Sequence, residues 1–174
     1  MNKKVILWFA NNQCGSIRRN SAATISGGWL ISLEDEIKKN PGVELNVAFF
    51  SKVKENPFDY DGVRYYPMYS PISKNKIVRV IGRLKSKEEK DKQMLSLMLD
   101  VVKDVKPDII HIHGTEERFG LIQDYVKDIP IVFSIQGLIA PYSEKFFSGL
   151  PQAFAYKNDP IYDVMRNVGI KRTY

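Results

Sequence analysis

The sequence predicts an α/β protein, a Rossmann-like arrangement of three layers, α/β/α, around a mainly parallel sheet. Three observations carry this. Strand-like runs and helix-like stripes alternate from end to end, the pattern of βαβ units. Two runs, Asp108 to His113 and Pro130 to Ile135, are apolar almost without a break, as strands covered on both faces are. Finally, 174 residues with 44% apolar and 26% charged side chains have the length and composition of about one globular domain. A disordered chain and a long multi-domain machine are both excluded.

The first strand spans Lys4 to Ala10. Its apolar part, Val5 to Ala10, follows two lysines but is shorter than the roughly 7 to 15 residues of a signal-peptide core. A polar loop, Asn11 to Ser26, leads to a helix from about Gly27 to Lys39 with Trp29, Leu30, Leu33 and Ile37 as its stripe. Asn40-Pro41-Gly42 stops it. The next strand, Glu44 to Phe50, puts Leu45, Val47 and Phe49 on one face, and a short strand at Val63 to Tyr66 follows the Asp61-Gly62 turn. Ile77 to Leu84 and Glu88 to Val105 read as helix, the second through Leu95, Met98, Leu99, Val102 and Val105, and Pro107 closes it. After the Asp108 strand, a short helix over Arg118 to Lys127 should turn Leu121, Ile122 and Tyr125 inward. The strand Pro130 to Ile135 is β-branched and apolar, which predicts an interior place in the sheet. Beyond Gly137, crowded prolines and glycines leave room for one helical turn at Ile161 to Val168. Residues 1–150 are expected to form the domain, and 151–174 an irregular segment that ends as if cut before a further domain.

The balance of 26 Lys and Arg against 20 Asp and Glu leaves +6, which permits an anionic partner without naming one. Cys14 stands alone, so neither an internal disulfide nor a zinc spacing exists, and a cytoplasmic setting is the simpler expectation. No run reaches the roughly 18 to 20 residues of a spanning helix. Lys74 to Lys87 holds six basic residues and no acidic one, with Ile77, Val80, Ile81 and Leu84 at helical steps between them. Two readings follow: a basic amphipathic helix resting on anionic lipid through Lys76, Arg79, Arg83 and Lys85, or a helix that packs its stripe and solvates its charges. Nucleic acid is disfavoured, since no binding motif and no interleaved aromatics accompany the charges.

Ligands of open α/β sheets bind beyond the carboxyl ends of the strands, and three segments have that address. Ser26-Gly27-Gly28-Trp29 combines a helix cap with two residues that let a phosphate or sugar reach backbone N–H groups. It reads equally as a flexible loop and cap. A dinucleotide fingerprint is missing, because Phe9 to Arg19 contains only Gly15. The second segment, His111 to Glu116, places His111 and His113 on one face, with His113 nearer the strand end. His111 is expected to be a buried imidazole satisfied by a backbone carbonyl. For His113, Gly114, Thr115 and Glu116, a cleft and a purely structural role both stand, and an acid/base role needs Glu116 or Glu117 as partner. The third, Ser134-Ile135-Gln136-Gly137-Leu138, offers an amide suited to a sugar hydroxyl or a base edge. Glu36 and Glu44 have a spacing seen in paired carboxylates, but a turn interrupts it and both are expected on the surface.

Gly27-Gly28 at the first helix, Lys106 to Thr115, and Ile129 to Leu138 together resemble the amino-terminal half of a glycosyltransferase family 4 enzyme over roughly residues 3 to 150. The bacterial polysaccharide-assembly members look most similar. The resemblance implies a two-domain GT-B fold and a retaining, metal-independent transfer of sugar from a UDP- or GDP-sugar to a glycan or lipid-linked acceptor. It implies no cofactor beyond the nucleotide sugar, and a place in the cytoplasm or on the inner face of the membrane. This half would shape the acceptor side, and the fragment alone would turn over little. By position, Gly27 and Gly28 match the glycine loop near the donor phosphates, with Gln136 and Gly137 beside the sugar. His113 and Gly114 match the loop after the fourth strand. Many members carry a histidine where this chain has Gln136, so catalytic residues stay unassigned, with His113 and Gln136 as candidates. A non-catalytic sugar- or phosphate-binding module is the rival expectation.

Overall fold

The computed structural model describes residues 3–20, 28–69, 87–115 and 117–135. All fall within one compact unit of the chain, Met1–Ile135. The helix expected at Ile77 to Leu84, the basic positions Lys76, Arg79, Arg83 and Lys85, and everything from Gln136 onward lie outside the described residues.

Among the described residues six strands form one sheet: β1 (Lys4–Ala10), β2 (Val43–Ser51), β3 (Phe58–Tyr60), β4 (Val63–Tyr69), β5 (Ile109–His113) and β6 (Ile131–Ser134). Their order is β3-β4-β2-β1-β5-β6. Every neighbour pair is parallel except β3 and β4, which form an antiparallel hairpin. Among the described residues two helices, α1 (Gly28–Ile37) and α2 (Lys87–Val105), and two short 3-10 segments, η1 (Cys14–Arg19) and η2 (Arg118–Asp124), lie between the strands. The chain is α/β with a mostly parallel sheet, compatible with a Rossmann-like fold. No described helix is long and apolar enough to cross a membrane.

Successive side chains of a strand point to opposite faces, and β1 serves two cores in that way. Leu7 and Phe9 join Met98, Val101 and Val102 of α2 and Phe119 and Ile122 of η2. Trp8 and Ala10 join Leu30 of α1 together with Val47, Phe49 and Tyr65. Each large side chain so buried contributes roughly 1.5–3 kcal/mol, which explains why the most apolar segment occupies the middle of the sheet. Register then sets the neighbours: Trp8 lies level with Val47 on one side and His111 on the other.

Several expectations need correction. The loop after β1 contains η1, tied down by polar contacts that no periodicity reveals. On α1 the buried face is Leu30, Ile31 and Glu34, while Trp29 is 43% exposed. A strand absent from the sequence reading, β3, precedes the Asp61-Gly62 turn, and β4 runs on through Pro67 to Tyr69. Pro67 lies past the end of β3, where that side of β4 has no ladder to lose. The helix expected from Arg118 is a 3-10 segment that buries Phe119 and Ile122 and leaves Tyr125 exposed. Among the described residues β6 is an edge strand, with Val132 44% and Phe133 38% exposed. Glu36 and Glu44 are exposed, and Glu36 pairs with Lys39 at 2.6 Å.

Candidate functional site

Strand order reverses at β1: β2 and β4 lie to one side, β5 and β6 to the other. Open α/β sheets place their binding crevice at such a switch point, beyond the carboxyl ends of the strands, here between β1 and β5. Four rings gather there. His113, the last residue of β5, is 1% exposed and packs edge-on against Trp8 of β1, with centroids 4.4 Å apart. Trp29, the second residue of α1, approaches the same imidazole at 5.5 Å. His111 lies 3.9 Å from His113 and 6.0 Å from Trp8. Alternation brings Trp8, His111 and His113 to one face, and the crossover from β1 through α1 brings Trp29 over it.

The nitrogens of this cluster are unevenly served. His111 is half-buried, and its Nε2 lies 2.7 Å from the Ser134 hydroxyl, so its partner is a side chain rather than the expected backbone carbonyl. Ser134 is level with His113 on β6, which puts its hydroxyl within reach of His111 two residues back. By contrast Trp8 Nε1, His113 Nδ1 and His113 Nε2 are buried and have no hydrogen-bond partner among the described residues. An unpaired buried polar group costs roughly 1–3 kcal/mol, and few native groups remain in that state. Burial pushes the His113 imidazole down to about 3, and His111 beside it pushes the same way. Burial lowers His111 as well. Near neutral pH both rings are uncharged, each with one donor and one acceptor nitrogen. Among the described residues no carboxylate is hydrogen-bonded to His113, and Glu116, one of the two expected partners, lies outside them.

The glycines around the cluster differ in what they require. Gly114 has φ 87°, a backbone conformation that favours glycine, and its N–H donates to the Ser134 carbonyl at 2.9 Å. Gly28 has no positive φ, and a Cβ built there meets nothing within 4 Å among the described residues. Among the described residues, neither backbone nor packing demands glycine at the start of α1. Thr115 is exposed. Of the other expected site residues, Gly27, Glu116, Gln136 and Gly137 lie outside the described residues. The structure therefore brings together the start of α1 and the end of β5.

Neither a protein-family model nor a curated protein matches this sequence.

A second buried polar group, on the same side of the sheet, escaped the sequence reading. Glu34 of α1 is 1% exposed and accepts from the Gly15 N–H at 2.9 Å and the Tyr65 hydroxyl at 2.7 Å. Beside it, burial and the Glu34 charge push the Cys14 thiol far up, so it stays protonated and inert. Arg18 grips Asp35 through two hydrogen bonds of 2.9 and 2.8 Å, and Arg19 reaches Glu55 at 2.9 Å while lying 3.8 Å over the Phe58 ring. These contacts fasten η1 across α1 and the β3 hairpin. A glycine beside a lone acidic residue on an otherwise apolar helix face was the only signal available. Among the described residues no group of three or more His, Cys, Asp or Glu side chains is placed to hold a metal ion.

Proposed function

We propose that this chain is the amino-terminal, acceptor-side domain of a retaining, metal-independent glycosyltransferase of the GT-B type, its sheet the middle layer of an α/β/α half. The donor is a UDP- or GDP-sugar and the acceptor a glycan or lipid-linked glycan of surface polysaccharide assembly. The site of action is the cytoplasmic face of the membrane, touched through Lys76, Arg79, Arg83 and Lys85.

One observation supports this reading best: at the topological switch point, Trp29 at the opening of α1 stands 5.5 Å from the unpartnered imidazole of His113 at the end of β5. A helix start carries about half a positive charge and unpaired N–H groups, and with a glycine there a diphosphate can approach closely. Charge on the departing diphosphate is what such a transfer must stabilise. His113, kept neutral by burial, serves polar contact in this reading. The domain's task is positioning, and the rest of the chemistry belongs to a partner half.

The test uses protein from the native gene with radiolabelled UDP- and GDP-sugars and lipid-linked acceptors. Transfer of label, with a saturable shift of the Gly28 amide resonance on adding UDP or GDP, is the expected result. A shift without transfer favours the non-catalytic binding module. Neither transfer, hydrolysis nor amide shift overturns both.

A further inference from the structure

We propose that Trp8 and His113 form a subsite for an uncharged, hydroxyl-bearing group, with Trp29 as its apolar wall. The inference rests on the reading of this rim as a carbohydrate site and specifies the chemistry it accepts.

Among the described residues three buried nitrogens in two rings that touch have no partner, Trp8 Nε1, His113 Nδ1 and His113 Nε2. A fold needing only bulk here is served by phenylalanine, which carries no polar atom to leave unpaired. A bound ligand supplies the partner that the described residues do not. Its chemistry follows from valence: the indole N–H donates only, and a neutral imidazole donates once and accepts once. A hydroxyl both accepts and donates, so it can serve either kind of nitrogen. A phosphate dianion or a carboxylate only accepts, which leaves the imidazole acceptor empty. An anion would also find no compensating charge among the described residues, where the titratable group acting on His113 is the neutral His111. Trp29, 43% exposed and in edge contact with His113, offers a partly open aromatic surface beside the polar nitrogens. Apolar walls with a few placed polar atoms are the usual make-up of a small-molecule site. The rim thus divides by charge: anion at the start of α1, neutral hydroxyl at the Trp8 and His113 rings.

Both tryptophans of the chain belong to this cluster, so its two indole N–H resonances report on it without labelling elsewhere. Methyl glucoside, methyl galactoside, methyl mannoside and myo-inositol are titrated in separate samples, and inorganic pyrophosphate in another. The Trp8 indole signal is expected to move saturably with at least one neutral polyol and to ignore pyrophosphate. His113→Phe is expected to weaken that binding by about tenfold or more while leaving the urea midpoint unchanged or higher. Trp29→Leu, at an exposed position, weakens it without touching the fold. The proposal is overturned if no polyol moves either indole, which leaves a buried water as the partner, or if only pyrophosphate does. A marked fall in stability of His113→Phe also sinks it, since the nitrogens then have partners within the chain. A Gly28 shift with UDP beside silent indoles rejects the subsite and spares the donor reading; the reverse pattern rejects the donor reading alone.

Discussion

The Glu34 carboxylate occupies the space where a side chain at position 15 would begin: a Cβ on Gly15 would stand 2.0 Å from Glu34 Oε1. The same carboxylate takes the Gly15 N–H at 2.9 Å and the Tyr65 hydroxyl at 2.7 Å, so it cannot swing aside without breaking both bonds. Gly15→Ala should therefore destabilise by roughly 1–3 kcal/mol. Glu34→Ala strands two buried donors and should cost roughly 2–4 kcal/mol, whereas Glu34→Gln, which still accepts from the amide, should cost less. Urea midpoints at unchanged slope measure all three.

The β3 to β4 hairpin turns at Asp61 and Gly62, with φ of 49° and 79°. Two successive left-handed residues are the tight hairpin turn whose twist matches the strands. A Cβ on Gly62 meets nothing within 4 Å among the described residues, so Gly62→Ala changes backbone preference alone. The expected cost is about 1–2 kcal/mol, read as a fall in the thermal midpoint.

Acid should loosen this protein before its carboxylates titrate. Burial holds the His113 imidazole at about 3 against an ordinary 6.5, so between those values the unfolded chain binds a proton that the folded one refuses. Stability from this source is complete above pH 6.5 and is lost as pH falls toward 3, with a slope of at most about 1.4 kcal/mol per pH unit. His111 acts in the same direction. Asp35, held low by Arg18 and Lys38, and Asp108, held low by the Val5 N–H and Lys4, lose their contributions only below about pH 4. Unfolding free energies at pH 7 and 5 should differ in the parent chain, and His113→Phe should remove much of that difference.

Gly28→Ala separates stability from binding. Nothing in the described structure needs glycine there, and alanine favours a helix by up to about 1 kcal/mol, so the variant should melt no lower than the parent. If the start of α1 takes a diphosphate, the added methyl should weaken UDP or GDP binding several-fold by calorimetry. Equal affinity would remove Gly28 from the site.

The elements that can be read locally were read well. β1 matches its expected span, β2 and α2 differ by a residue at their ends, and Asp61-Gly62 turns the chain as its composition demands. Errors arise where distant partners decide. Helical spacing on α1 selects Trp29, Leu30, Leu33 and Ile37; the last three do pack into the core, but Trp29 stays exposed and the buried face also carries Glu34, because Gly15 and Tyr65 arrive to satisfy it. Tyr125 follows the same logic in reverse: the 3-10 winding of η2 turns it outward. The apolar run of β6 says that water is unwelcome, and only strand order says that among the described residues it is the last strand on its side of the sheet.

Residue pattern was enough to settle the class of fold, since periods of two and of about three and a half are consequences of backbone geometry that each segment carries within itself. It also placed His113 at a strand end. That His113 meets Trp8 and Trp29, and finds no partner for its two nitrogens among the described residues, was decided by strand pairing and the β1 to α1 crossover, which bring remote parts of the chain side by side. Contacts of that kind depend on register and face together, and no local stretch contains both.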